Sequence, residues 1–378
     1  MKYLERKIEE AFDQYLQPNK VLVLLGARRV GKTELLKNQL SQMEEKYLLL
    51  NGEDATTASV LSNRSVENYK RLLGDVKLLV IDEAQTVPEI GKILKLMVDE
   101  IEGIRIIATG SSVFDLENEL GEPLTGRANT IKLYPLSQME FGEQENYIET
   151  KGRLEERLIL GGYPELQQYS NWNDKVKYID QLVNSYLVKD ILSFENLKKP
   201  DKIISLLRLI AFQIGGVVSL PELGKKLGID KNTVERYLDL LSKVFVLYKV
   251  NAYSKNARKE ISKSSRWYFY DNGIRNALIA NVNSLELRDD IGQLWENYLI
   301  SERLKYQSYN NMLVNNYFWR TYKQQEVDWV EERGGEIYGY EFKWNPKKVK
   351  GAPSAWKELY PNAKFITIHQ DNYLDFIT

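Results

Sequence analysis

The amino-acid sequence predicts an α/β protein whose N-terminal part is a three-layer fold around a parallel sheet. Over about the first 135 of 378 residues, short β-branched runs alternate with segments of helical periodicity. Strands and helices alternating at this spacing are typical of a parallel sheet covered by helices on both faces. The pattern becomes helical from about residue 136, and strands return after about residue 285. A chain of this length therefore predicts several structural units.

Nine strands are predicted, five near the N-terminus and four near the C-terminus. The first five are residues 21–25, 47–50, 76–81, 104–109 and 130–133. A break at 161–164, a long periodic segment at 172–193 and a helical set at 203–250 come next. A helix at 292–306 precedes the last four strands, at residues 317–322, 326–330, 337–343 and 365–369.

Composition narrows the classes of function. The chain has no cysteine and a single histidine, His369, which excludes disulfide frameworks and Cys/His zinc sites. Any metal would therefore bind to oxygen ligands. A formal net charge of −1 argues against a surface coated with basic charge, although a local basic face is compatible with it. The apolar runs are short and the N-terminus is charged, so we expect a cytoplasmic protein with no membrane contact.

A glycine-rich motif follows the first predicted strand and precedes a helical run. It fits the phosphate-binding pattern G-x-x-x-x-G-K-[ST], in the strand-to-helix context that this loop requires. Lys32 would neutralise the β and γ phosphates of ATP, and Thr33 would ligate Mg²⁺. The helix N-terminus would add its positive dipole. The alternative is a glycine-rich turn without a ligand. The predicted nucleotide-binding residues of the loop are Gly26, Ala27, Arg28, Arg29, Val30, Gly31, Lys32, Thr33 and Glu34.

Two adjacent carboxylates end the third predicted strand. Asp82 and Glu83 follow four apolar residues and lie about fifty residues after the glycine-rich loop. Asp82 would hold the metal through its water shell, and Glu83 would polarise the attacking water as general base. Such a pair also fits a strand that simply reaches solvent. Its spacing from the loop favours the catalytic interpretation.

Two further positions are candidates for the nucleotide site. Ser111 and Ser112 follow the fourth predicted strand and would sense the γ-phosphate through their hydroxyl groups, unless they are an ordinary strand end. Arg127 would reach the nucleotide of a neighbouring subunit as an arginine finger, or it is a surface arginine. The arginine-finger interpretation implies a homo-oligomer.

The order of the motifs resembles a known family. The segments GARRVGKT, LLVIDEAQ, ATGSS, LTGR, LYPLSQMEF and GGYPE are similar to those of prokaryotic AAA-type ATPases with a C-terminal domain of the DUF4143 type, related to restriction endonucleases. The resemblance covers nearly the whole chain. It implies an AAA+ core at 1–140, a helical lid at 141–200, a winged-helix domain at 201–284 and a PD-(D/E)xK nuclease-like domain at 285–378.

A helix-turn-helix pattern lies in the third of these segments. Ser219 and Asp230 are predicted N-caps of two short helices around a turn at Gly228. The second helix buries Val234, Leu238 and Leu241 and turns the polar side chains of Lys231, Asn232, Glu235 and Arg236 outward. This face would read DNA in the major groove, or it would mediate protein contacts.

Carboxylates and a lysine recur at the C-terminus with the spacing of a metal-dependent phosphodiesterase. Asp328 lies on one strand, and Glu341 and Lys343 share one face of the next, because side chains alternate along a strand. Asp328 and Glu341 would hold Mg²⁺, Lys343 would position or activate water, and Glu296 would add a carboxylate. An amphipathic hairpin is the alternative.

Trp344 and the lysines at 347, 348 and 350 follow this lysine closely. They would contact a phosphate backbone, or they form a solvated loop.

The sequence therefore predicts Mg-dependent ATP binding and hydrolysis coupled to C-terminal domains that act on nucleic acid, with ATP-regulated nuclease activity as one outcome. The competing hypothesis is a nucleotide-dependent switch or interaction protein whose nuclease-like fold is catalytically silent.

Overall fold

The computed structural model describes residues 3–111, 124–187, 200–254 and 265–378. Ser112 and positions 188–193 of the predicted periodic segment lie outside these ranges. The chain divides into two compact units, residues 1–134 with 243–245, and residues 135–242 with 246–378. The finer division into four segments at 140, 200 and 284 stays a prediction.

The first unit contains the predicted parallel sheet. Its five strands are β1 (Lys20–Leu25), β2 (Tyr47–Asn51), β3 (Leu78–Asp82), β4 (Arg105–Gly110) and β5 (Ala128–Lys132). Every neighbouring pair is parallel, in the order β2-β3-β4-β1-β5. In β1 every residue after Lys20 is buried, as expected for a strand covered by helices on both faces. The α/β class and the parallel sheet are confirmed.

Five α-helices belong to the first unit in the part of the chain that the structure describes. They are α1 (Phe12–Tyr15), α2 (Lys32–Gln42), α3 (Ala55–Ser62), α4 (Val66–Leu73) and α5 (Ile90–Glu100). Helix α5 buries Ile90, Ile93, Leu94 and Met97 on one face, which is the period that the sequence pattern indicates.

The second unit is built around a seven-stranded sheet. Its strands are β6 (Val217–Val218), β7 (Leu247–Ala252), β8 (Ser265–Phe269), β9 (Asn315–Arg320), β10 (Glu326–Arg333), β11 (Glu336–Phe342) and β12 (Lys364–Ile368). The order is β12-β11-β10-β9-β7-β8-β6. Strands from the predicted middle and C-terminal segments therefore share one sheet, through the parallel pairing of β7 with β9.

The described helices of the second unit fall into two groups along the chain. The first group is α6 (Gln138–Gly142), α7 (Tyr147–Gly152), α8 (Leu154–Leu160), α9 (Trp172–Gln181) with a π-helical continuation at Leu182–Leu187, and α10 (Pro200–Phe212). The second group is α11 (Leu220–Leu227), α12 (Lys231–Lys243), α13 (Asn272–Leu278), α14 (Ile291–Tyr309), α15 (Ser354–Leu359) and α16 (Leu374–Ile377).

Helices α11 and α12 begin at the predicted caps, and α11 ends at the predicted turn. The Ser219 side chain accepts a hydrogen bond from the Glu222 N–H, and Asp230 caps α12 through the N–H groups of residues 232 and 233. Gly228 ends α11 with φ 67°, a left-handed conformation that glycine adopts at little cost. Val234, Leu238 and Leu241 are buried, as predicted.

Aromatic residues fill the core behind β9 and β10. Trp319 and Trp356 meet edge to face with ring centroids 5.2 Å apart, and Tyr360 packs on Trp356 at 4.6 Å. Val327 and Val330 are fully buried against them. This packing fixes β10, on which Asp328 lies.

No helix in the described ranges combines the length and the apolar character needed to cross a bilayer.

Candidate functional site

The ends of three parallel strands meet at one edge of the first sheet. Leu25 of β1 is in register with Gly110 of β4, and Ile81 of β3 is in register with Ala108. Strand β1 lies between β4 and β5 in the sheet although it comes first in the chain. Ligands of open α/β sheets bind where the strand order changes direction in this way. The glycine-rich loop and Asp82 therefore lie at this edge together.

Glycine is required at two positions of the loop. Gly31 has φ 98° and is the N-cap of α2. A Cβ atom at Gly26 would lie 2.2 Å from the carbonyl oxygen of Leu133. The Lys32 ammonium donates to the carbonyl oxygens of Gly26, at 2.9 Å, and Ala27, at 3.1 Å. These hydrogen bonds hold the Lys32 ammonium against the glycine-rich loop, at the start of α2.

Thr33 and Asp82 are suited to hold a magnesium ion. The Thr33 hydroxyl donates to Asp82 Oδ2 at 3.0 Å. While it donates to Asp82, the Thr33 hydroxyl oxygen keeps a lone pair for a metal ion, and Asp82 beside it could accept hydrogen bonds from the waters that Mg²⁺ keeps. The pair therefore fits the ion that the sequence motif implies.

Thr109 joins the two acidic residues and was not predicted from the sequence. Its side chain is fully buried on β4. The hydroxyl donates to Asp82 Oδ1 and accepts from the Glu83 N–H at 3.0 Å. Thr109 therefore fixes the orientation of Asp82 and the turn that starts Glu83. A hydroxyl ending an otherwise apolar strand was the available signal.

Glu83 is aimed by an unusual backbone conformation and by Gln85. Glu83 has φ 50°, which is uncommon for a residue other than glycine and is found at functional turns. The Gln85 amide donates to Glu83 Oε2 at 2.6 Å and to the Ser111 hydroxyl at 3.3 Å. Ser111 is thus brought to the predicted base through Gln85, which was also not singled out from the sequence.

Arg6 braces the glycine-rich loop from the N-terminal segment. Its guanidinium donates to the carbonyl oxygens of Val30, at 2.8 Å, and Tyr134, at 2.6 Å, and the residue is 5% exposed. Charged hydrogen bonds to buried carbonyls hold a loop in one conformation. No local pattern marks Arg6, because its partners are 24 and 128 residues away.

The other predicted nucleotide-site residues lie farther out. Glu34 is exposed in the first turn of α2 and pairs with Lys37 at 2.8 Å. Arg29 is exposed and Arg28 half-buried. Arg127 pairs with Asp99 at 2.5 Å, just before β5, so it lies at the edge of the sheet opposite to the loop. Within one chain Arg127 does not reach the nucleotide site.

In the second unit, Arg266 lies among the C-terminal carboxylates. Its guanidinium is 2.7 Å from Glu326, 3.5 Å from Glu296 and 3.9 Å from Asp328. Glu341 does not contact it but pairs with Lys343 at 2.5 Å. The sequence did not single out Arg266, which comes from β8, 60 residues before Glu326.

Burial and charge shift the pKa values in this cluster. Burial raises the pKa of Asp328 well above its usual value, and the neighbouring Glu296 and Glu341 add to the effect. Burial also raises the pKa of Glu296, against the opposing charge of Arg266. Burial acts to lower the pKa of Lys343, but the hydrogen bond and charge of Glu341 raise it above its usual value. Lys343 therefore stays protonated.

The predicted C-terminal metal ligands have partners within the protein. In the described part of the chain, no group of three or more Asp, Glu, His or Cys side chains is arranged to hold a metal ion. Glu296 instead accepts a hydrogen bond from the Tyr268 hydroxyl at 2.6 Å, and Asp328 accepts one from the Phe342 N–H at 2.9 Å. The magnesium site stays a prediction, with Arg266 beside two of its predicted ligands.

The predicted basic segment after Lys343 is only partly a free surface. The Trp344 ring packs edge-on against Trp295, with centroids 5.3 Å apart. The lysines at 347, 348 and 350 are exposed.

Three families match this sequence. Residues 18–142 match an AAA domain, residues 151–286 match a domain of unknown function, DUF8612, and residues 291–375 match another, DUF4143.

Curated relatives match most of the chain. An uncharacterized protein of Mycobacterium tuberculosis is 26% identical over 327 residues, which are 85% of this chain and 70% of the relative. One of Haemophilus influenzae is 25% identical over 349 residues, which are 86% and 82%.

Solved structures align more loosely. A STAND ATPase with a tetratricopeptide repeat sensor from Pyrococcus horikoshii aligns with TM-score 0.32 and 13% identity, over 80% of this chain and 45% of that one. The Bacteroides Pif1 helicase in complex with ADP-AlF3 and ssDNA aligns with TM-score 0.27 and 14% identity, over 49% and 51%. The chain therefore spans about half the length of these structures.

Proposed function

We infer that this chain, an AAA-type ATPase that carries a C-terminal DUF4143 domain, hydrolyses Mg-ATP and couples the nucleotide state to its C-terminal unit. The observation that carries the inference is the meeting of Thr33 and Asp82 beside Glu83, at the sheet edge where the glycine-rich loop begins α2.

Each residue of this edge has a distinct role in the proposal. The loop amides and the N-terminus of α2 bind the phosphates, and Lys32 exchanges its loop carbonyls for the β and γ phosphate oxygens. Thr33 and Asp82 hold Mg²⁺, which neutralises the charge that develops on the phosphates. Glu83 accepts the proton of the attacking water, with Gln85 fixing its carboxylate.

Replacement of the base separates binding from turnover. Glu83→Gln should bind Mg-ATP as the wild type does, because the loop is untouched, while hydrolysis stops. Binding is measured by calorimetry, and hydrolysis by phosphate release. If Glu83→Gln hydrolyses ATP at the wild-type rate, another residue is the base.

Contact with nucleic acid is a second candidate function, favoured by the exposed face of α12. The order α10, β6, α11, α12, β7, β8 is typical of a winged helix, whose second short helix enters the major groove. Lys231, Asn232, Glu235 and Arg236 are all exposed on α12, as the helical period predicts. Two of these four side chains are cationic and one is acidic, so the face favours specific contact over non-specific attraction.

Fluorescence anisotropy with labelled DNA and RNA tests this candidate. Wild type is compared with Lys231→Ala/Arg236→Ala in the presence of ATP and of ADP. Binding that weakens in the variant and changes with the nucleotide supports the coupling. If no nucleic acid binds and none alters the ATPase rate, the nucleotide-dependent interaction protein is the better description.

Arg127 keeps its proposed arginine-finger role only between copies of the chain, because it lies at the far edge of its own sheet. Loss of ATPase activity in Arg127→Ala, restored by mixing with Lys32→Ala, would support a shared site in a homo-oligomer.

A further inference from the structure

We propose that Arg266 is the built-in cation of the C-terminal carboxylate cluster, so that this nuclease-like part binds no divalent metal there and does not cleave phosphodiesters. The proposal concerns the second unit alone and does not depend on ATP hydrolysis.

Arg266 lies close to carboxylates that a metal ion would need. The guanidinium lies 2.7 to 3.9 Å from Glu326, Glu296 and Asp328 and fills space beside two of the predicted metal ligands, Glu296 and Asp328. A dication entering that space would meet the positive charge of Arg266 at close range in a poorly solvated place, where repulsion is strong.

Strand pairing and burial hold Arg266 in the carboxylate cluster. It lies within β8, where its backbone is paired with Val217 of β6 and Val250 of β7. Its guanidinium carbon is 4.6 Å from the centre of the Phe318 ring, and the residue is 4% exposed. Moving the charge to solvent would break the stacking contact and leave three acidic neighbours without it.

Other polar groups of the cluster have partners within the protein. The Tyr268 hydroxyl donates to Glu296 at 2.6 Å, and the Phe342 N–H donates to Asp328 at 2.9 Å. Lys343 pairs with Glu341. One oxygen of Glu296, one oxygen of Asp328 and the Lys343 ammonium are thus engaged within the protein.

The cluster therefore links two segments of the second unit through ion pairs. Arg266 comes from the segment that matches DUF8612, whereas Glu296, Glu326 and Asp328 come from the segment that matches DUF4143. The ion pairs tie β8 to β10, which lies in the same sheet, and to the helix α14.

Titration with Mn²⁺ alone, followed by electron paramagnetic resonance, tests the proposal. All proteins carry Asp82→Asn, so that the nucleotide site of the first unit does not contribute. With Arg266 in place we expect no binding assignable to the cluster. Arg266→Met should gain one bound Mn²⁺ per chain, because the competing charge is gone. The added site should disappear in Arg266→Met/Asp328→Asn.

A second arm covers the case in which Arg266→Met does not fold. Glu296→Gln/Asp328→Asn keeps Arg266 and its partner Glu326. If the proposal holds, this variant and the Asp82→Asn parent take up Mn²⁺ equally. Loss of one bound Mn²⁺ in the variant would overturn the proposal. So would Mg²⁺- or Mn²⁺-dependent cleavage of plasmid, linear or single-stranded DNA or RNA that is absent in Glu341→Ala/Lys343→Ala.

Discussion

Replacement of Thr109 by valine tests the interpretation of the nucleotide site at a residue that no sequence motif marks. Valine keeps the shape of the buried side chain and removes the hydroxyl that donates to Asp82 and accepts from the Glu83 N–H. Asp82 then loses one of its two hydroxyl donors, with Thr33 remaining. The geometry of the metal ligand and of the general base is loosened together.

The size of the effect follows from the lost hydrogen bonds. A hydrogen bond to a charged group contributes about 1.5–3 kcal/mol. If about 2 kcal/mol of this is realised only in the transition state, the rate falls about 30-fold, since each 1.36 kcal/mol is a factor of ten. Ground-state binding rests mainly on the loop and Lys32, so KM for ATP should change much less than kcat.

Steady-state ATPase measurements with excess Mg²⁺ give both constants. Thr109→Ser, which restores the hydroxyl, is the matched control and should keep most of the activity. A Thr109→Val enzyme with wild-type kcat would show that Thr109 does not position the two acids. A large rise in KM with unchanged kcat would point instead to a role in substrate binding.

Two further predictions concern buried arginines. Arg6→Met removes two hydrogen bonds that fix the carbonyls of Val30 and Tyr134, so ATP should bind about tenfold more weakly by calorimetry while the far-ultraviolet dichroism is unchanged; equal affinity would mean that the brace is dispensable. Glu331→Gln leaves the buried Arg303 charge without its partner, and the free energy of unfolding in urea should fall by about 3 kcal/mol. Burial acts to raise the pKa of Glu331, but Arg303 holds that pKa below its usual value. The wild type should therefore lose the stabilisation from this ion pair as pH falls below about 4.3. An equal pH dependence of the free energy of unfolding in wild type and Glu331→Gln would contradict this prediction.

The parts of the structure that follow from local patterns were predictable from the sequence. Four of the five strands of the first sheet are mainly apolar runs, and the glycine-rich loop joins one of them to α2 in the predicted context. Asp82 is found beside Thr33 because parallel strands bring their carboxyl ends to one edge. Caps and buried faces of α11 and α12 also depend on spacing within a few residues.

Residues that act through distant contacts were not predictable. Arg6 and Arg266 meet partners 128 and 60 residues away, and nothing in their own segments indicates those partners. The D…ExK spacing places Asp328 and Glu341 on neighbouring strands, but spacing does not reveal which charge faces them. Here Asp328 has an arginine from a preceding strand at 3.9 Å, whereas Glu341 pairs with Lys343.

Calorimetric titration of Mg-ATP into the wild-type protein and into Lys32→Ala tests most directly whether the edge between β1 and α2 holds a nucleotide. One saturable binding event per chain is expected for the wild type, with binding strongly weakened in Lys32→Ala, because the ammonium no longer neutralises the phosphates. Folded wild-type protein that releases no heat of binding, or a Lys32→Ala variant that binds equally well, would contradict the assignment.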